Sequence, residues 1–177
     1  MIRLYLLTAL FLLPLATPAQ ETQATPEWEV AGMYSHLFAN VGSSTFHLNG
    51  GGVSLVENVN SWLGGQAELN AYGGDAAGMH LTAQTYMFGP VVSYRRLARL
   101  KPFAQFELGI IHASIGYLGI SQNATKFALA SGGGVDLRVN RQVAVRLQSS
   151  YLSTYFLNSR QDNLQFSAGL VLNFGRK

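Results

Sequence analysis

Apolar and polar positions alternate with a period of two along most of the chain, and the pattern is cleanest at its end. In residues 165–177, Phe166, Ala168, Leu170, Leu172 and Phe174 are apolar, while Gln165, Ser167, Gly169, Val171 and Asn173 between them are mostly small or polar. That period marks a β-strand whose two faces meet different surroundings. The same alternation predicts strands over residues 28–39, 46–57, 62–72, 84–94, 103–113, 127–139 and 143–155. Gln66, Glu68 and Asn70 lie opposite Leu63, Ala67, Leu69 and Ala71; Gln105 and Glu107 lie opposite Ala104, Phe106, Leu108 and Ile110. Ala128, Gly132, Gly134, Asp136 and Arg138 alternate with Phe127, Leu129, Val135 and Leu137, and Arg146, Gln148 and Ser150 with Val145, Leu147 and Tyr151. In 28–39 neither set is cleanly polar, so its facing stays open.

The strand count is eight and even, and each strand reaches the roughly 9–11 residues that a tilted strand needs to cross a bilayer. A tight turn at 58–61, a basic turn at 95–101 and a two-residue hairpin signal at Asn140-Arg141 form one set of connections. Longer polar loops are expected at 40–45, 73–83, 116–124 and 157–162. Short turns at one end and longer loops at the other are the asymmetry of bacterial outer-membrane barrels. Pro90 cannot donate to a ladder, which predicts a bulge there. The fold class read from the pattern is all-β, an eight-stranded antiparallel transmembrane up-and-down β-barrel.

A soluble barrel with the same strands would put apolar residues inside. Here Glu68, Glu107, Asp136, Arg138 and Arg146 lie opposite lipid-compatible faces, so each face is coherent when the polar one lines the lumen. Composition agrees. Charged residues make up 12% of the chain and hydrophobic ones 48%, against about 25% charged in ordinary soluble domains. Residues 1–19 read as a secretory signal peptide, with Arg3, an apolar run ending at Pro14 and a small-residue site at Thr17-Pro18-Ala19. Residues 20–26 follow as a short linker and 27–177 as one barrel domain. Without Arg3, 11 basic and 9 acidic residues remain, a net +2 that argues against a nucleic-acid partner. With no cysteine, disulfides and thiolate chemistry are excluded.

Two segments carry a family likeness. Residues 134–148 run Gly-Val-acid, a short turn, then Val-Ala-Val-Arg-Leu-Gln, and residues 167–175 run Ser-Ala-Gly-Leu-Val-Leu-Asn-Phe-Gly. In these the chain resembles the OmpA-like outer-membrane β-barrel family. The resemblance implies a closed barrel in the bacterial cell outer membrane, with an interior acid on the sixth strand, Asp136, facing an interior arginine on the seventh, Arg146. The family's strand-three acid is replaced by Gln66, with Glu68 one pleat further on. Its strand-four lysine has no match, since Val91 and Ser93 stand there. The peptidoglycan-binding domain that some members append is not expected after Lys177.

Candidate chemistry is sparse. The five interior charges, Glu68, Glu107, Asp136, Arg138 and Arg146, read as a network that plugs a narrow lumen, because eight strands leave an interior that side chains fill. Asp136 and Arg146 are expected to pair across their hairpin. Phe166 and Phe174 read as the barrel-closing signal for the assembly machinery. Trp28, Trp62, Tyr86, Tyr94, Tyr117, Tyr151, Tyr155 and Phe174 read as interfacial girdles, and Arg95, Arg96, Arg99 and Lys101 as a solvated turn. His36, His47 and His80 show no metal-ligand spacing, so neither metal nor cofactor is expected. His112-Ala-Ser114 is similar to part of the lipid A deacylase motif, which makes a lipid hydrolase an alternative reading; a soluble periplasmic barrel carrying a small ligand is another. The main reading is a non-enzymatic outer-membrane barrel, structural or surface-interacting, with at most a narrow porin-like pore. Its partners would be outer-membrane lipids, the barrel-assembly machinery and a host or surface ligand at the outer loops, and it would be a monomer.

Overall fold

The computed structural model describes residues 25–41, 44–76, 79–117, 120–156 and 159–175. The expected signal peptide and most of the expected linker lie outside the described residues. Eight strands follow one another: β1 (Trp28–Val41), β2 (Ser44–Asn58), β3 (Leu63–Ala76), β4 (Met79–Ser93), β5 (Leu100–Tyr117), β6 (Ile120–Arg138), β7 (Val143–Phe156) and β8 (Ser159–Phe174). Each pairs antiparallel with the next, and β8 pairs back onto β1, closing the barrel. Closure joins Trp28 to Phe174 and His36 to Phe166 in register, so every strand has a neighbour on both sides and the sheet has no edge strand.

The alternation sorts side chains as the sequence predicts. Tyr34, Leu69, Phe88, Phe106, Phe127, Leu147, Phe166 and Leu170 face outward and are exposed, whereas Gln66, Glu68, Gln105, Glu107, Asp136, Arg146 and Gln148 are buried inside. In β1 the open question is settled: Glu29, Ala31, Met33, Ser35 and Leu37 face the lumen. Water would invert this arrangement; hydrocarbon requires it.

Three sequence expectations are corrected. The loops expected at 73–83 and 116–124 are mostly strand: β3 runs to Ala76 and β4 resumes at Met79, while β5 and β6 reach Tyr117 and Ile120. The expected loops at 40–45 and 157–162 shorten in the same way. Beyond the bilayer the outward face meets water, so alternation fades from the sequence while backbone pairing continues. Pro90 makes no bulge. The β4–β5 register holds from Phe88↔Leu108 to Val91↔Gln105 across the gap at Gly89 and Pro90, and Pro90 faces outward opposite Gly65 of β3. The ladder omits the bond that proline cannot donate, without inserting a residue.

Inward glycines let neighbouring backbones, and at Gly134 the Phe103 ring, come close. A Cβ at Gly134 would come within 2.9 Å of both Phe103 Cζ and Gln148 Cα. One at Gly169, opposite Arg146 in the β7–β8 register, would lie 2.7 Å from Met33 Cα at the closing seam.

Candidate functional site in the barrel lumen

The lumen is layered along the barrel axis. At the end where the chain termini lie, residues 139–142 join β6 to β7, a longer connection than the two-residue hairpin expected at Asn140-Arg141: Val139 N–H donates to Val143 O at 3.0 Å, and Asn140 Oδ1 caps the turn by accepting from the backbone of Gln142 and Val143, both at 2.8 Å. That turn sets Asp136 directly opposite Arg146. Arg146 Nε donates to Asp136 Oδ1 at 2.7 Å and Nη2 to Oδ2 at 2.9 Å, a bidentate pair with both residues buried. The guanidinium also stacks 4.5 Å over the Phe103 ring and reaches Ser54 Oγ and Glu29 Oε2, each at 3.5 Å.

Glu29 holds the other half of this ionic floor. It binds Lys101 Nζ through Oε2 and accepts from Arg95 Nη2 through Oε1 at 2.7 Å. Lys101 also lies 2.7 Å from Asp136 Oδ2, and Asn58 Nδ2 donates to Glu29 Oε1 at 3.0 Å. Two buried carboxylates thus face three cations. Buried charges persist only with partners and hydrogen bonds of this quality.

Glu29, Arg95 and Lys101 were not among the predicted network. Arg95 and Lys101 belong to the stretch read as a solvated turn, and that reading is corrected for them: both side chains are nearly buried, at 10% and 11% exposure. Lys101 could have been found, because it shares parity with Phe103, Gln105 and Glu107. Arg95 could not, because it reaches the floor from outside any strand.

A polar middle layer follows. Glu68 accepts from Gln148 Nε2 at 3.0 Å, Asn70 Nδ2 at 2.9 Å and Gln66 Nε2 at 3.2 Å. Gln66 Nε2 also lies 3.3 Å from Glu107 Oε1, and Gln105 Nε2 3.2 Å from Glu107 Oε2. Amides, rather than cations, surround these two acids among the described residues. The carbonyl oxygens of Gln66, Asn70 and Gln148 have no protein donor, which makes this the layer of the lumen that calls for water. Of the five predicted charges, then, Asp136 and Arg146 meet, Glu68 and Glu107 share a separate cluster, and Arg138 lies half-buried one pleat nearer the termini.

Towards the opposite end the lumen turns apolar. Leu37, Leu48, Tyr72, Leu81, Met87, Ile111 and Leu152 pack into one buried cluster. The sequence reading, intent on interior charges, missed this plug. Its signal was present in the inward sets of β1 and β2, where Leu37 and Leu48 stand.

His112 and Ser114 face outward on β5. His112 Nδ1 lies 2.8 Å from Thr125 Oγ1, and Ser114 is in register with Thr82 and Asn123. The geometry does not bring the two together as base and nucleophile. Of the girdle aromatics, Trp28 and Phe174 pair at the terminal end, with Trp62 and Tyr94 exposed nearby; the side chains of Tyr117 and Tyr155 lie outside the described residues.

Comparison with known proteins agrees with this architecture. The family of outer membrane protein beta-barrel domains matches residues 6–174. Among solved structures, Neisserial surface protein A is similar at 17% identity and a TM-score of 0.75, covering 84% of this chain and 97% of that one. Ail, the attachment invasion locus protein of Yersinia pestis, is similar at 15% identity and a TM-score of 0.59, covering 84% and 99%. The N-terminal barrel domain of Pseudomonas aeruginosa OprF is similar at 11% identity and a TM-score of 0.54, covering 85% and 100%. No curated protein matches the sequence.

Proposed function

The chain belongs to the family of outer membrane protein beta-barrel domains, and from that premise we propose that it is a plugged, non-enzymatic barrel that interacts through its outward hairpins. It is an integral protein of the bacterial outer membrane, OmpA-like in form, and its outer wall contacts membrane lipids. The observation that carries the proposal is the stack of floor, polar layer and apolar plug across the lumen. A wide channel needs an open aqueous path. Here an ion would have to part a buried ion-pair network and then cross a hydrophobic constriction that favours dewetting. The role therefore falls to the surface. β5 and β6 are 18 and 19 residues long, well beyond the roughly 9–11 needed to cross the hydrocarbon, so their paired outer halves extend past the membrane and offer a partner a surface.

Closure by Phe166 and Phe174 supports recognition by the barrel-assembly machinery, and a self-contained lumen supports a monomer. The non-enzyme reading is supported by the engagement of His112 with Thr125. Reconstitution in planar bilayers tests the plug directly. The expected result is an absence of steady conductance, with liposomes remaining impermeable to small sugars; stable, solute-permeable channels would overturn the proposal.

A further inference from the structure

The outward face of the β1–β2 hairpin holds two histidines that the lumen does not use, one of them, His36, in register with Phe166 across the closing seam. His36 and His47 are well apart in sequence, but the register pairs Phe38 with His47 and His36 with Asn49, which makes the histidines diagonal neighbours. Nε2 of His36 lies 3.3 Å from Nδ1 of His47. On the far side of its ring, His36 Nδ1 lies 2.7 Å from Asn49 Oδ1, and the same oxygen accepts the Tyr34 hydroxyl at 3.0 Å. A carboxamide oxygen can only accept. In the neutral ring the proton therefore sits on Nδ1, and Nε2 turns its lone pair towards His47. Phe38 packs edge-on against both rings, with centroids 4.6 and 5.0 Å away, and limits their rotation.

We propose that His36 and His47 form a two-imidazole site for a divalent transition-metal ion, zinc, copper or nickel, at the extracellular rim of the barrel. Two nitrogens bound at about 2.0–2.1 Å in tetrahedral geometry stand about 3.3–3.4 Å apart, the separation already present. Imidazole suits these ions. A ligating histidine is commonly held by a carbonyl or carboxylate on its other ring nitrogen, and Asn49 fills that place. To bind, His47 needs only to carry its proton on Nε2, an exchange that water permits because the residue is exposed. Among the described residues no set of three His, Cys, Asp or Glu side chains gathers that could hold a metal, so water completes the coordination and the ion exchanges with the medium. The site lies on the hairpin opposite the chain termini, where Asn40, Thr45 and Asn49 make the outer wall polar and ions arrive unhindered.

The test uses untagged protein folded in detergent micelles in a buffer that does not chelate metals. Copper(II) is titrated and followed by electron paramagnetic resonance, and zinc by calorimetry. We expect one ion per barrel with two nitrogen donors. His36→Gln and His47→Gln should each weaken binding more than about tenfold, and Asn49→Ala by about tenfold, the usual effect of losing an orienting partner. His80→Gln and His112→Gln should leave binding unchanged, and acidification should weaken it in the parent protein. Heat-modifiable gel migration verifies folding of each variant. A second measurement needs no variant: zinc should protect His36 and His47, but not His80 or His112, from diethylpyrocarbonate. Single-nitrogen copper spectra, unaltered affinity in either His36→Gln or His47→Gln, or equal protection of all four histidines would overturn the assignment.

Discussion

Asp136 and Arg146 stand directly opposite each other across the β6–β7 ladder and share two hydrogen bonds, at 2.7 and 2.9 Å, inside the barrel. They are not an isolated pair. Lys101 touches Asp136 as well as Glu29, and Arg95 touches Glu29. The effect of each substitution therefore follows from which charges are left over.

Removing Arg146 leaves Glu29 and Asp136 facing Arg95 and Lys101, a balanced set. Removing either acid leaves three buried cations around one carboxylate. Glu29→Gln and Asp136→Asn should each destabilise by about 3–5 kcal/mol, the usual consequence of an uncompensated buried charge. Arg146→Gln should cost less. Urea unfolding in lipid, completed as a double-mutant cycle on Asp136 and Arg146, measures both points. Zero coupling, or Arg146→Gln as the most damaging change, would contradict this network.

Closure makes a separate claim. Phe174 pairs with Trp28, and Leu172 pairs with Val30 on one side and Val143 on the other, so the last strand joins both neighbours at the terminal end. Phe174→Ala, and more strongly deletion of residues 172–177, should lower the folded yield in the membrane while leaving synthesis unchanged. Insertion kinetics and yield equal to those of the parent chain in both variants would separate Phe174 from barrel closure.

Strand number, closure and, outside β1, facing were legible in the sequence because a bilayer imposes a different solvent on each face, and a period of two records that difference residue by residue. The Asp136–Arg146 pair was legible because both residues lie on the inward face close to one short connection, although that connection, residues 139–142, is longer than the two-residue hairpin expected. Glu29 with Lys101 was not, since those residues come from strands that are not neighbours and meet only across the lumen. The extended hairpins were hidden for another reason: above the membrane the outward face meets water instead of lipid, and a ladder of backbone bonds leaves little trace in side-chain type. His36 and His47 show the same limit, brought together by cross-strand register rather than by spacing.

The apolar plug should be what keeps the lumen shut. Leu37, Leu48 and Leu81 are almost fully buried, and shortening one of them to alanine typically costs about 2–5 kcal/mol through lost contacts and the cavity left behind. Leu37→Ser combined with Leu81→Ser also removes the hydrophobic barrier to water. In planar bilayers the double variant should show ion conductance above that of the parent barrel. If it stays as silent as the parent while folding normally, the seal lies in the ionic floor instead.

The remaining prediction concerns the hydrolase alternative. A serine esterase needs a base within hydrogen-bond reach of the nucleophile and a third group that orients the base. His112 instead has Thr125 beside its Nδ1. Asp75, a carboxylate on the outer face at this end of the barrel, lies 2.6 Å from a different histidine, His80. His112 is thus aligned by a neutral hydroxyl, which stabilises a developing imidazolium far less than a carboxylate does. General-base assistance contributes about 10²–10⁴-fold in rate, so even a poor enzyme of this kind should fall to background when either residue is removed. The expected result is that purified protein releases no acyl chain from lipid A or from short-chain esters, and that Ser114→Ala and His112→Ala behave as the parent does. Turnover that vanishes in both variants would make this barrel an enzyme and reassign its outer face from recognition to catalysis.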